Sequence, residues 1–296
     1  MTTLVTGANG LVGSRLVARL SAAGERVFAV GRGARRFADS GEYRDLDLLA
    51  PTSLAQLIAE VRPAAVINAA AMTDVDACEA DPVGAFLLNA RLVEAAALAC
   101  REIGARLVAL GTDYVFDGDH GPYSEEDVPN PRGVYARTKR AGEEAALLLA
   151  RDAVLCRVAV VYSGQSGSKR TFAIGAAENL AAGKPVKAFL DQVVSPTLAD
   201  NAAEMILGVH RSGEQGIFHC AGGSIVSRVE FCRALARKLG ADEDLIVPVR
   251  TRDVKLPAPR PLRCGLKTDK VKKLLGDAVP LSLDAQLDRF LAERRA

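Results

Sequence analysis

The sequence predicts an α/β fold, a doubly wound parallel sheet with a smaller C-terminal α/β lobe, and three observations carry that prediction. Short β-branched runs alternate with longer helical patterns over the first half of the chain, the mark of parallel strands joined by crossover helices. A Gly-x-x-Gly-x-x-Gly spacing, Gly7, Gly10 and Gly13, falls between the first run and the first helical pattern. After residue 161 the alternation loosens into loops, helices and a proline-rich stretch.

Taken in order, "TLVTG" reads as the first strand and residues 11–23 as its helix; "RVFAVG" is the second strand, followed by a loop. "AAVINAA" precedes a helix over 81–103, "RLVALG" precedes one over 134–150, and "AVLCRVAVV" closes the alternating region. Beyond it come the Gly/Ser-rich "SGQSGSKR", a helix near 171–182, and "FLDQVVSPTLAD" leading into a helix that ends near His210. "GIFHCAG" reads as a strand returning to the sheet; helix 227–239, "KLPAPRPL" and an amphipathic helix from about 282 complete the chain. The expected division is a cofactor-binding unit over 1–160, joined by 196–222, and a substrate lobe over 161–195 and 223–296.

Composition excludes several classes. The 296 residues, 49% of them hydrophobic, are ample for more than one core. With 38 basic against 36 acidic residues the net charge is +2, too small to draw the chain to nucleic acid or membrane, so an anionic ligand must be met locally. The start "MTTLVTGANG" shows no leader pattern and no charge-free apolar run reaches the roughly 18 residues of a span, which predicts a cytoplasmic protein. Six scattered cysteines without Cys-x-x-Cys fit reduced thiols, and three separated histidines argue against a metal site.

Strand ends carry the chemistry. Glycines at 7, 10 and 13 allow a tight turn and close approach to a pyrophosphate, which rests on the positive end of the next helix. No acid follows "VFAVG", while Arg32, Arg35 and Arg36 do, so NADP is favoured over NAD, with a solvated basic loop as the plainer explanation of at least one arginine. In "VYARTK", Tyr135 and Lys139 are four positions apart and share a helical face; a neighbouring cation lowers a phenol's pKa and fits it for proton transfer. Thr112 in "GTDYVFDG" follows a strand and offers a hydroxyl to a substrate carbonyl, or else caps a turn.

These segments resemble those of extended short-chain dehydrogenase/reductases with a Rossmann-like sheet, and most closely the dTDP-4-dehydrorhamnose reductase family. The resemblance runs through "TGANGLVG", "INAAAMTDVDACEADP", "GTDYVFDGDHGPYSEEDVPNP", "YARTK", "DQVVSPT", "GIFHCAG" and "RPLRCGLKTDK". It implies a catalytic set of Thr112, Tyr135 and Lys139. It implies cofactor contacts from Gly7, Asn9, Gly10, Leu11, Val12, Gly13, Arg32, Asp47, Leu48, Ala69, Ala70, Ala71 and Tyr135, with Lys139 also holding the nicotinamide ribose. Thr73, Val75, Asp113, Tyr114 and Phe116 are implied to line the sugar site, and Asp76 and Glu79 either touch the substrate or fix its loop. Lys169, Arg170, Arg260 and Arg263 are the cations available to a substrate diphosphate.

Two positions depart from the family pattern. Gly111 stands where Ser usually precedes the catalytic Thr, and Arg263-Cys264 replace Asn-Ser after "RP". The implied activity is NADPH-dependent reduction of the 4-keto group of a nucleotide-linked 6-deoxyhexose, with a small-molecule partner and a homodimer as one arrangement. The rivals are an epimerase or dehydratase of the superfamily, the latter disfavoured by Tyr114 where a Glu would stand, and a non-catalytic regulatory subunit resembling that of methionine adenosyltransferase.

Overall fold

The computed structural model describes residues 1–36, 41–165, 170–277 and 279–295. Strand β1 (Thr2–Thr6) is buried on both faces, sending Val5 into one apolar layer and Leu4 into the other. Helix α1 (Leu11–Ala22) covers the first layer with Leu16, Val17 and Leu20. Strand β2 (Arg26–Gly31) repeats the period-two division, with Val27 and Ala29 towards α1 and Phe28 and Val30 away from it.

The stretch after β2, expected to be a loop, contains a further strand and helix. Strand β3 (Glu42–Asp45) pairs in parallel with β2 at the sheet edge, and α2 (Pro51–Val61) follows with Pro at its first turn. "EYRD" is a short edge strand with Tyr43 as its one apolar contact to a core layer, so it has no apolar alternation to reveal it. Helix α2 buries Leu54, Leu57 and Ile58 against the second layer, each side chain contributing about 1.5–3 kcal/mol by leaving water.

Strand β4 (Ala65–Asn68) leads through α3 (Val75–Ala80) into the long helix α4 (Pro82–Ile103), in which Leu87–Arg91 form a π turn. By length and composition α4 suffices to cross a membrane, but more than half of its apolar window is buried inside the fold. Strand β5 (Arg106–Thr112), helix α5 (Gly133–Leu149) and strand β6 (Ala153–Val158) complete the alternation. Helix α6 (Phe172–Ala181) is followed by α7 (Ala199–Ser212), which packs on α1, and by β7 (Gly216–His219), which pairs with β6.

The result is a seven-stranded sheet in the order β7-β6-β5-β4-β1-β2-β3, every neighbouring pair parallel. Chain direction across the sheet reverses between β1 and β4, and the crevice outside the carboxyl ends of such a pair is where open α/β sheets bind ligands. Helices α8 (Arg228–Leu239) and α10 (Leu283–Arg295) pack with α6 around Tyr162, Phe231, Leu235 and Phe290, a core separate from the two sheet layers. Helix α9 (Asp269–Leu275) instead sends Val271 into the layer beneath α7. A fourth cluster, with Phe116, Tyr123, Cys264 and Leu266, joins the segment after β5 to residues 263–266, where Tyr123 bridges Leu266.

Candidate active site

Gly7 has φ +65°, and a Cβ there would lie 2.7 Å from backbone atoms of Ala69 and Ala70. A Cβ on Gly13 would lie 2.1 Å from the Gly7 carbonyl oxygen. Both positions exclude a side chain, so β1, β4 and α1 close tightly around the turn. Gly10 caps α1 with no side-chain acceptor for its first N–H groups, which leaves them to an anion at the helix's positive end. Thr6 Oγ1 donates to Asn68 Oδ1 at 2.6 Å and accepts from Ala70 N at 3.2 Å, fixing Ala69–Ala71 beside the turn. A cradle that any Cβ would fill fits a dinucleotide pyrophosphate.

The loop after β2 is organised by Asn9. Its Nδ2 donates to the carbonyl oxygens of Arg32 and Ala34 and to the Tyr43 hydroxyl, and its Oδ1 accepts from Arg36 N. Arg35 lies with its guanidinium 5.5 Å from the Tyr43 ring centre. Arg32 is exposed, and its side chain has no partner among the described residues. Sequence reasoning found no acid here, but β3 delivers one: Asp45 Oδ1 accepts from Gly33 N at 2.8 Å. Leu48 is buried against the α2 layer, and Asp47 accepts from Leu49 N in its own turn.

Thr112, Tyr135 and Lys139 converge at the end of β5, and all three are buried. Residues 135, 139 and 143 lie one helical turn apart on the face of α5 that meets β5 and β6. Thr112 Oγ1 donates to Asp113 Oδ1 at 3.2 Å and shares a hydrogen bond with the Tyr135 phenol. Burial raises that phenol above its ordinary range, with the Thr112 bond opposing. The Lys139 ammonium is turned to the Leu110 carbonyl oxygen, 2.6 Å away, and burial outweighs any downward pull on the phenol. Burial lowers the ammonium itself to about 8, against the field of Glu143. The phenol is therefore held in its protonated, donating form.

Around this centre, Tyr114 meets Tyr135 edge to face with ring centres 5.6 Å apart. Asp113 is buried, is pushed up by that burial to about 7, and leaves Oδ2 without a partner among the described residues. Arg228, at the start of α8, sets its charge towards Asp113 and Tyr114, with its guanidinium 4.1 Å from the Phe172 ring centre. Thr73 is exposed and Val75 half-buried on the approach from β4.

Two expectations need correction. Phe116 lines no open space: its side chain is fully buried and stacks on Tyr123 at 4.2 Å, so it supports the site from below. Arg260 is not free for a diphosphate, because its guanidinium bonds Asp76 at 2.8 Å while Asp76 also accepts from Ala258 N. That pairing is what fixing a loop requires of Asp76, and Glu79 likewise accepts from Val134 N at 2.7 Å. Lys169 lies outside the described residues, and Arg170 pairs with Glu178.

Arg263 lines a cavity of about 420 Å³ with Gly118, Asp119, Asp191 and Arg250. Arg250, absent from the sequence-based set, lies 13 positions upstream with no motif around it. Gly111, the other departure, is explained by packing: a Cβ there would fall 2.4 Å from Glu143 Oε1, so a buried carboxylate occupies the place of the family's serine side chain. Asn89 was also unforeseen; from the π turn of α4 it bonds both Met72 backbone groups and Thr138, tying the loop after β4 to α5.

Known proteins resemble this arrangement throughout. The model of the RmlD substrate binding domain family matches residues 1–295. A dTDP-4-dehydrorhamnose reductase of Mycobacterium tuberculosis is 37% identical over 264 residues, covering 87% of this chain and 82% of its own. A probable low-salt glycan biosynthesis reductase of Haloferax volcanii is 34% identical over 283 residues, covering 95% and 94%. The crystal structure of a dTDP-4-dehydrorhamnose reductase from Clostridium acetobutylicum superposes with TM-score 0.89 at 28% identity over 100% of both chains. That of a Bacillus anthracis dTDP-4-dehydrorhamnose reductase in complex with NADP gives 0.86 at 26% identity over 99% of each.

Proposed function

The chain belongs to the RmlD substrate binding domain family, that of the dTDP-4-dehydrorhamnose reductases, and from that premise we propose that it reduces the 4-keto group of a nucleotide-linked 4-keto-6-deoxyhexose with NADPH. The observation that carries the proposal is the Tyr135 phenol, buried beside Thr112 at the end of β5 and kept protonated by that burial. A carbonyl gaining hydride becomes an alkoxide and needs a proton at once; a protonated phenol within reach supplies it.

The Gly7–Gly13 turn and the first N–H groups of α1 would hold the pyrophosphate, Arg32 the 2′-phosphate, Ala69–Ala71 the passage along the sheet edge, and Lys139 the nicotinamide ribose. When bound, that cofactor supplies the reducing equivalent to the sugar carbon. The residues of the chain do the rest. Thr112 orients the keto oxygen, Tyr135 protonates it, and Tyr114 covers the phenol and shuts out water. Asp113, Thr73 and Val75 shape the sugar side, while Arg263 and Arg250 face the cavity suited to the nucleotide diphosphate. Six free, buried cysteines accord with a reduced, cytoplasmic setting.

The deciding experiment offers the purified chain a panel of nucleotide-linked 4-keto-6-deoxyhexoses with NADPH and follows loss of nicotinamide absorbance. Turnover of at least one thymidine-linked member is expected. Binding of NADPH without turnover of any member, together with co-purification of a second polypeptide, would replace the enzyme with a regulatory subunit.

A further inference from the structure

The face of α5 that carries Tyr135 and Lys139 continues one turn further to Glu143, a carboxylate buried to 2% exposure. Arg157 of β6, with no exposed surface, meets it in a forked pair, Nη2 to Oε2 at 2.9 Å and Nε to Oε1 at 3.1 Å. The pair is clamped from both sides. Phe116 lies 5.1 Å from the guanidinium carbon, and Gly111 of β5 leaves the space that Glu143 Oε1 fills. Removing two charges from water costs several kcal/mol each, so such a pair is weak evidence for stability and invites another explanation.

We propose that Glu143, held by Arg157, is a positioning residue that keeps the Lys139 ammonium charged and fixed against the Leu110 carbonyl oxygen. The geometry supports it at three points. Lys139 and Glu143 are four residues apart on one helical face, Lys139 Nζ bonds Leu110 O at 2.6 Å, and the carboxylate abuts the next residue of the same strand, Gly111. Besides Arg140, which approaches Glu143 at 3.5 Å from α5 itself, the elements packed on α5 carry titratable groups: Arg157 on β6, Asp113 and Tyr114 in the turn after β5, Cys78 and Glu79 on α3, and the paired Arg91 and Glu94 on α4. Glu143 is the one whose field acts on the ammonium, raising its proton affinity against burial. Arg157 fixes the Glu143 carboxylate in place through the forked pair, one helical turn from the ammonium.

A titration tests this without any substrate. Protein carrying ¹³C at lysine Cε is titrated by NMR, with the Lys139 resonance identified by its loss in Lys139→Met. Glu143→Gln should move the Lys139 midpoint down by about one pH unit or more, the scale of a nearby opposite charge. Because Glu143→Gln leaves Arg157 buried and unpaired and risks misfolding, the double variant Glu143→Gln/Arg157→Met provides the second arm. It removes both charges, should fold with a melting temperature near the parent's, and should still show the lowered midpoint. A parent-like Lys139 midpoint in either folded variant overturns the proposal. The kinetic consequence rests on the reductase reading: the alkaline limb of kcat should move down with the midpoint. A shifted midpoint with no turnover by the parent would leave the proposal standing and count against that reading alone.

Discussion

The Lys139 ammonium donates a 2.6 Å hydrogen bond to the carbonyl oxygen of Leu110, two residues before Thr112 on β5. That bond ties the middle of α5 to the strand that ends in Thr112, and it offsets only part of the cost of burying a cation. Burial lowers Lys139 from 10.5 to about 8. Below about pH 8 the folded protein therefore bears a penalty of about 3 kcal/mol, relieved as pH rises towards 10.5, where the unfolded chain also loses its proton. Lys139→Met should accordingly melt no lower than the parent at pH 7, should lose the parent's rise in stability above pH 8, and should bind NADPH more weakly. A variant that loses both stability and affinity in parallel would mark Lys139 as structural.

Tyr135→Phe removes one oxygen from a buried ring and should leave the fold and NADPH affinity intact. Loss of a general acid lowers turnover by about 10²- to 10⁴-fold. The measurement is kcat beside an NADPH titration by fluorescence; a parent rate with parent affinity would remove Tyr135 from the chemistry.

Arg32 presents a guanidinium with no partner among the described residues, on a loop braced by Asn9 and Asp45. NADPH should bind more tightly than NADH, and Arg32→Ala should narrow the gap by about 1–3 kcal/mol, the range of a charge-assisted hydrogen bond. Equal affinities in the parent would show that the loop, with an acid 2.8 Å from Gly33 N, does not select the phosphate.

How much of this was legible in the sequence depends on the distance over which each feature is encoded. The glycine turn and the Tyr135–Lys139 face are local, set by spacings of three and four residues, and the buried strands announce themselves as apolar runs. The edge strand Glu42–Asp45 does not, because it is four residues long and sends only Tyr43 into an apolar layer, and so Asp45 went unseen. The capture of Arg260 by Asp76 joins residues 184 positions apart. No local pattern distinguishes a guanidinium so engaged from Arg263, three residues on and open to the cavity. Glu143 and Arg157 lie only 14 positions apart, yet their pairing follows from the packing of α5 on β6 and from the missing side chain at Gly111, both properties of the fold.

The two arginines should accordingly behave differently. Arg263→Ala should raise the KM for a nucleotide sugar by about 10-fold or more while leaving NADPH affinity unchanged. Arg260→Ala breaks the link between α3 and residues 258–260 and should lower the melting temperature as well, since it strips Asp76 of its partner. Identical kinetic and thermal behaviour of the two variants would refute the distinction.

His219 provides a pH signature for the fold. Its ring is wholly buried, with Nδ1 3.1 Å from the Lys267 carbonyl oxygen and Nε2 without a partner among the described residues. Burial, aided by the charge of Arg157, lowers it from 6.5 to about 3. Between those values the unfolded chain takes up a proton that the folded chain refuses, so stability falls as pH falls through that window, by up to about 5 kcal/mol at its lower end. Asp113 works the other way: raised from 3.8 to about 7, it is protonated in the folded protein first and adds stability as pH falls from 7 to 3.8. The parent should therefore show a shallow acid slope in which two steep contributions oppose each other. His219→Gln can keep the bond to Lys267 and lacks the titrating ring. It should lose some stability at every pH, through weaker packing against Phe116, but its curve between pH 7 and 4 should flatten or turn upward as pH falls, with Asp113 left unopposed. Urea unfolding midpoints at several pH values read the slope independently of the level. Parallel curves for parent and variant would mean that His219 takes up its proton in the folded state as readily as in the unfolded one.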